Sequence, residues 1–138
     1  MRYFDASALV KRYVNESGTA EVEGWLADDT PATGRLTEVE IASALARRCR
    51  EGAVSADDRD RALAALHTDL AAMVIVELSP DVAESATRLA VTRNLRANDA
   101  IQLAGCQLLH RSLEQDVVFV AFDEGLKAAA RAEGLRTA

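Results

Sequence analysis

Two short apolar runs, Val74-Ile75-Val76-Glu77-Leu78 and Val117-Val118-Phe119-Val120-Ala121, constrain the fold more than anything else in the chain. They are β-branched and nearly continuous rather than alternating. Both faces of such strands need cover, which places them inside a parallel sheet flanked by helices. Helical patterns surround them. Leu36, Val39, Ala42, Leu45, Ala46 and Cys49 form one stripe, which Gly52 ends. Ser55-Ala56-Asp57-Asp58 opens a helix to about Ala72, and Ser79-Pro80 opens another that Asn94 stops. The span from Ala97 to Ser112 is the most apolar, with only Gln102 and Gln107 as long polar residues after Ala100. It reads as a centrally buried helix, and Gly105 in its middle marks close packing against a neighbour. Strands alternating with helices give an α/β layer architecture.

The remaining elements are shorter. Tyr3 and Phe4 favour strand, and a helix runs from Asp5 to near Val14. A second helix covers about Thr19 to Ala27, with Val22, Trp25 and Leu26 on one face. Ala32-Thr33 reads as a short second strand and Leu135-Arg136 as a minimal last one. At 138 residues without a linker or repeat, a single domain over 1–138 is expected.

Aromatic residues are only 4%, which argues against a stacking platform for bases. The net charge of −6 argues against a general nucleic-acid binder. It does not exclude an enzyme whose bound cation supplies positive charge. No apolar run spans a membrane, and no leader is expected from a start carrying Arg2, Asp5 and Lys11. Cys49 and Cys106 lie in helical patterns and read as buried free thiols of a reducing compartment, hence a cytoplasmic location.

Asp5 and Asp123 hold equivalent places, each between an apolar strand and a helix. In a parallel sheet both face the edge where ligands collect. Asp99 falls in the first turn of the buried helix, and Glu40 near the start of the helix beginning at Leu36. Each has a plainer use. Asp5 and Asp123 suit helix caps, Asp99 suits the macrodipole, and Thr37-Glu38-Val39-Glu40 fits a capping box. If all four converge, each close pair repels by about 4 kcal/mol at 4 Å and an effective dielectric of 20, which a cation relieves. All-oxygen ligands suit Mg²⁺ or Mn²⁺ rather than zinc.

Four segments resemble the PIN-domain ribonucleases, and most closely the VapC-type toxins of toxin–antitoxin pairs. They are Tyr3-Phe4-Asp5-Ala6-Ser7-Ala8-Leu9-Val10-Lys11, then Arg35-Leu36-Thr37-Glu38-Val39-Glu40-Ile41-Ala42-Ser43-Ala44-Leu45, then Leu95-Arg96-Ala97-Asn98-Asp99-Ala100-Ile101-Gln102-Leu103-Ala104, and finally Phe119-Val120-Ala121-Phe122-Asp123. They come in the family's order and cover essentially the whole chain. The resemblance implies a three-layer α/β/α fold with a short, mainly parallel sheet. It implies an acidic quartet of Asp5, Glu40, Asp99 and Asp123, with Asp5 and Asp99 as principal metal ligands and Ser7 supporting Asp5. Glu38 competes with Glu40, but the following Ile41-Ala42-Ser43-Ala44-Leu45 sets the register for Glu40. Gly34 departs from the Ser or Thr expected before Arg35-Leu36, and Asn98 occupies a variable place before the third acid.

The chemistry implied is endoribonucleolytic. Water attacks the phosphodiester in line, with Mg²⁺ or Mn²⁺ as cofactor, leaving a 5′-phosphate and a 3′-hydroxyl. Cationic candidates for RNA contact are Lys11, Arg12, Arg35, Arg47, Arg93 and Arg96, with Arg35 and Arg96 favoured because they flank the acids. The resemblance also implies a VapB-type antitoxin and a homodimer, and Trp25 is a candidate for a groove that takes a partner helix. The alternatives are a catalytically inactive PIN-like protein-binding module and a phosphatase of the haloacid-dehalogenase type. The latter wants a second Asp where Ser7 stands. His67 and His110 are assigned no catalytic role.

Overall fold

A computed structural model describes residues 1–138. Five strands form one sheet: β1 (Arg2–Phe4), β2 (Pro31–Gly34), β3 (Val74–Val76), β4 (Val118–Val120) and β5 (Arg136–Thr137). Their order is β3-β2-β1-β4-β5, and every pairing is parallel. The helices are α1 (Ala6–Leu9), α2 (Thr19–Asp28), α3 (Leu36–Arg50), α4 (Ala56–Leu70), α5 (Pro80–Thr92), α6 (Ala97–Leu113) and α7 (Glu124–Ala132). A 3₁₀ turn, Val10–Arg12, continues α1, so the two-turn helix expected up to Val14 tightens after its first turn.

Side chains alternate across a strand, and this builds the three layers. Tyr3 and Phe119 point into a core with α5, α6 and α7, where their rings stack at 6.0 Å. Their neighbours Phe4 and Val120 point the other way, into a core with α1 to α4. Burying each such side chain contributes about 1.5–3 kcal/mol. Val22, read as part of an apolar face, is fully buried in this second core.

The strands are shorter than the apolar runs that announce them. Backbone pairing of β3 stops at Val76, and Leu78 is left exposed. The last strand lies one residue later than expected, held by backbone bonds such as Ala138 N–H to the Phe119 carbonyl at 3.1 Å. Cys106 is buried, and burial pushes its thiol well up, whereas Cys49 is only part-buried. No helix is long and apolar enough to cross a membrane.

The strand order decides where a ligand can sit. From β1 the chain moves outward to β2 and β3, then crosses back to place β4 on the other side of β1. Connections therefore diverge between β1 and β4, which opens a crevice beyond their carboxyl ends. Asp5 follows β1 directly, and Asp123 lies just past β4.

Candidate active site

Asp5 is held rigidly. Its Oδ1 accepts the Ala8 N–H at 2.8 Å as the cap of α1, and its Oδ2 accepts the Ser7 hydroxyl at 2.8 Å. Asp5 is 3% exposed, with no basic side chain bonded to it. Burial pushes its pKa up to about 6, Asp99 and Glu40 add to the rise, and the two hydrogen bonds oppose it. Asp123 caps α7 through Oδ1, bonded to the Leu126 N–H at 2.7 Å. For these two acids, capping and facing the edge are therefore compatible.

Asp99 caps nothing. Burial raises its pKa, with Asp123 and Glu40 adding to the rise and Arg96 opposing it. The capping box weighed as the plainer use of Thr37-Glu38-Val39-Glu40 does not form, since no side chain caps α3. Thr37 is buried and its hydroxyl meets Thr33 Oγ1 at 2.7 Å. Glu40 turns instead toward α6. Its Oε2 accepts from Asn98 Nδ2 at 3.0 Å and its Oε1 from Gln102 Nε2 at 2.7 Å. Glu38 points elsewhere, 3.9 Å from Arg35.

A cleft of about 780 Å³ is lined by Ser7, Glu40, Asn98 and Asp123 together with Lys11 and Arg47. Asp5 and Asp99 do not line it, but cleft-wall acids bear on their charge, Glu40 on both and Asp123 on Asp99. No three carboxylate, imidazole or thiol groups converge closely enough to hold one ion among them. The full convergence of four acids on one shared ion, raised as a condition by the sequence, is thus not met. A hard cation that keeps most of its water requires only one or two carboxylates. The raised pKa values of buried Asp5 and part-buried Asp99, all-oxygen donors and an Asp99 carboxylate without a helix to cap fit such an ion.

Most of the candidate cations are engaged. Arg35 forks onto Glu77, with Nε at 2.9 and 3.2 Å from the two oxygens. Arg12 pairs with Glu23 and Asp69, and Arg93 with Glu133 at 2.8 Å. Lys11 bonds Glu16 at 3.1 Å and lies 4.5 Å over the Phe122 ring. Arg96 is exposed and has no ion pair, and its charge bears on Asp99. Trp25 is part-buried, with its ring tilted against Phe122 at 6.3 Å, so the chain itself occupies part of the face read as open to a partner. His110 is eleven residues along α6 from Asp99, about 16 Å away along the helix axis.

Sequence reasoning missed the roles of Tyr3, Gln102 and Asn98 around Glu40. The available signal was Gln102, a long polar residue in an apolar helix, one turn beyond Asp99.

Comparison with known proteins gives a consistent result. The PIN domain family model matches residues 2–132. Ribonuclease VapC45 of Mycobacterium tuberculosis is 31% identical over 137 residues, spanning 99% of this chain and 93% of that protein. The crystal structure of PAE2754 from Pyrobaculum aerophilum superposes with a TM-score of 0.68 at 26% identity, covering 99% of this chain and 89% of that one. A toxin–antitoxin complex from Klebsiella pneumoniae contains a chain of the same fold, with a TM-score of 0.67 at 22% identity, covering 93% of this chain and 91% of that one.

Proposed function

The chain belongs to the PIN-domain family, and on that premise we propose that it is a Mg²⁺- or Mn²⁺-dependent endoribonuclease toxin, held in check by a VapB-type antitoxin. The observation that carries this reading is the state of Asp5 and Asp99. Asp5 follows β1, where the sheet connections diverge, both acids have raised pKa values through burial, and neighbouring acids add to both shifts. Carboxylates whose pKa is raised by burial beside other acids are characteristic of functional sites.

Asp5 and Asp99 would hold the cation. When bound, it supplies the charge that polarises a phosphate oxygen and acidifies a water. The chain's own groups do the rest. Asp5, braced by Ala8 and Ser7, cannot swing when charge changes beside it. Glu40, bonded through both oxygens, contributes a fixed negative charge. Asp123 uses one oxygen for its cap and lines the cleft, where it would complete the negative pocket with Glu40. Attack on phosphorus breaks the bond to O3′, which takes the proton, leaving a 3′-hydroxyl and a 5′-phosphate. Arg96, exposed and unpaired, is the proposed RNA-backbone contact, and Arg35 joins it only by releasing Glu77.

The antitoxin proposal rests on the names of similar proteins, the VapC ribonucleases and the Klebsiella toxin–antitoxin complex. A homodimer is proposed with it, with exposed Val91 and Leu78 as available apolar surface. The proposed setting is cytoplasmic.

The test is to incubate the purified chain with single-stranded RNAs in Mg²⁺, Mn²⁺ or EDTA and to determine product ends. Cleavage that requires a divalent cation and leaves 5′-phosphates is expected. Intact RNA under every metal would favour a protein-binding module without catalysis.

A further inference from the structure

Gln102 is 2% exposed and its side-chain amide is fully engaged. Nε2 donates to Glu40 Oε1 at 2.7 Å and to Thr37 Oγ1 at 2.9 Å, while Oε1 accepts from the Tyr3 hydroxyl at 3.0 Å. The direction of the amide follows from its partners. An ionised carboxylate only accepts, so the NH₂ group must face Glu40. Burial keeps the Tyr3 phenol protonated, and its O–H fixes the other end.

The backbone makes room for this contact twice. A Cβ on Gly34 would lie 2.6 Å from the Tyr3 hydroxyl oxygen and 3.0 Å from Gln102 Oε1. A Cβ on Gly105 would lie 2.6 Å from the same hydroxyl oxygen. Two elements, β2 and α6, therefore lack a side chain at the place where Tyr3 reaches Gln102. This also accounts for Gly34 where a Ser or Thr was expected. On its second oxygen, Glu40 accepts from Asn98 Nδ2 at 3.0 Å.

We propose that Gln102 is a positioning residue of the acidic edge: with Asn98 it clamps Glu40 by both carboxylate oxygens, and Tyr3 fixes which way the Gln102 amide faces. The effect on catalysis rests on the nuclease reading above, whereas the clamp itself does not. Glu40 is thereby held as a charge facing Asp5 and Asp99 and kept from turning toward Lys11 or Arg47 across the cleft.

Two variants test it. Gln102→Met keeps the side chain's length and removes its donor and acceptor. Tyr3→Phe removes only the fixing hydroxyl and serves if the Met variant does not fold. In the wild-type chain without RNA, the Gln102 NH₂ protons should exchange with solvent more slowly than those of exposed Asn15, and Glu40→Ala, which removes one acceptor and leaves Thr37, should narrow the difference. On RNA, Gln102→Met should lower kcat about ten- to hundredfold, as is usual when the support of a charged site is lost. KM should change by less than about threefold, because ground-state binding is untouched. Tyr3→Phe should move kcat the same way by less. Fast exchange of the wild-type Gln102 amide, or an unchanged kcat in both variants, would overturn the proposal. Slow exchange in a wild-type chain that cuts no RNA would overturn the nuclease reading and leave the clamp standing.

Discussion

The Ser7 hydroxyl lies 2.8 Å from Oδ2 of Asp5 and donates to it, two residues along the chain. This bond favours the ionised carboxylate, as does the Ala8 N–H on Oδ1, yet burial outweighs both and leaves the pKa near 6. Ser7→Ala removes one opposing contribution, so the pKa of Asp5 should rise further. The acid limb of the pH–rate profile for RNA cleavage should then move to higher pH. An acid limb identical to wild type would show that Ser7 does not tune Asp5.

The same shift links stability to pH. The folded pKa of about 6 exceeds the unfolded value of about 3.9, so the folded chain binds the Asp5 proton more tightly. Asp5 thus adds stability while protonated, and the contribution is lost as pH rises through 4 to about 6. Asp5→Asn has no such loss. In EDTA at pH 8 the variant should be more stable than wild type by about 3 kcal/mol, with the gap closing toward pH 4. Thermal melts across pH check this, and a gap independent of pH would contradict it.

Gly34 gives a packing prediction. Gly34→Ala places a methyl 2.6 Å from the Tyr3 hydroxyl oxygen, on a buried ring with no room to retreat. Overpacking of this kind costs about 1–3 kcal/mol. Tyr3→Phe removes the colliding atom, so the double variant should be less destabilised than the sum of the two single changes, as read by urea unfolding. Strict additivity would mean that the two residues do not compete for this space.

These residues also mark how far the sequence can be read. The layer order and the edge that carries Asp5 and Asp123 are legible because apolar runs and helix starts are local signals. Strand ends are less so. Val76 to Leu78 looks like continuing strand, but pairing stops where Arg35 N–H bonds the Val76 carbonyl and α3 begins. The capping box at Thr37 is a sound local pattern, defeated by a buried hydroxyl partner on β2. The clamp on Glu40 is not legible, because its members Tyr3, Glu40 and Gln102 are separated by as many as 99 residues and meet only in the folded chain. Arg35 shows the converse: flanking the acids in sequence did not reveal that Glu77 would claim it.

Asp99 offers the most direct test of the central claim, that the acids at the carboxyl edge of the sheet act on RNA through a divalent cation. Asp99→Asn keeps the shape of a side chain that caps no helix, so its fold should be unchanged by circular dichroism. Single-turnover cleavage of a labelled RNA in Mg²⁺ should fall by about a thousandfold or more, a loss on the scale of removing a principal electrostatic group from an active site. Wild type in EDTA should be equally inert. Cleavage by the variant at the wild-type rate, or by wild type in EDTA, would contradict the account.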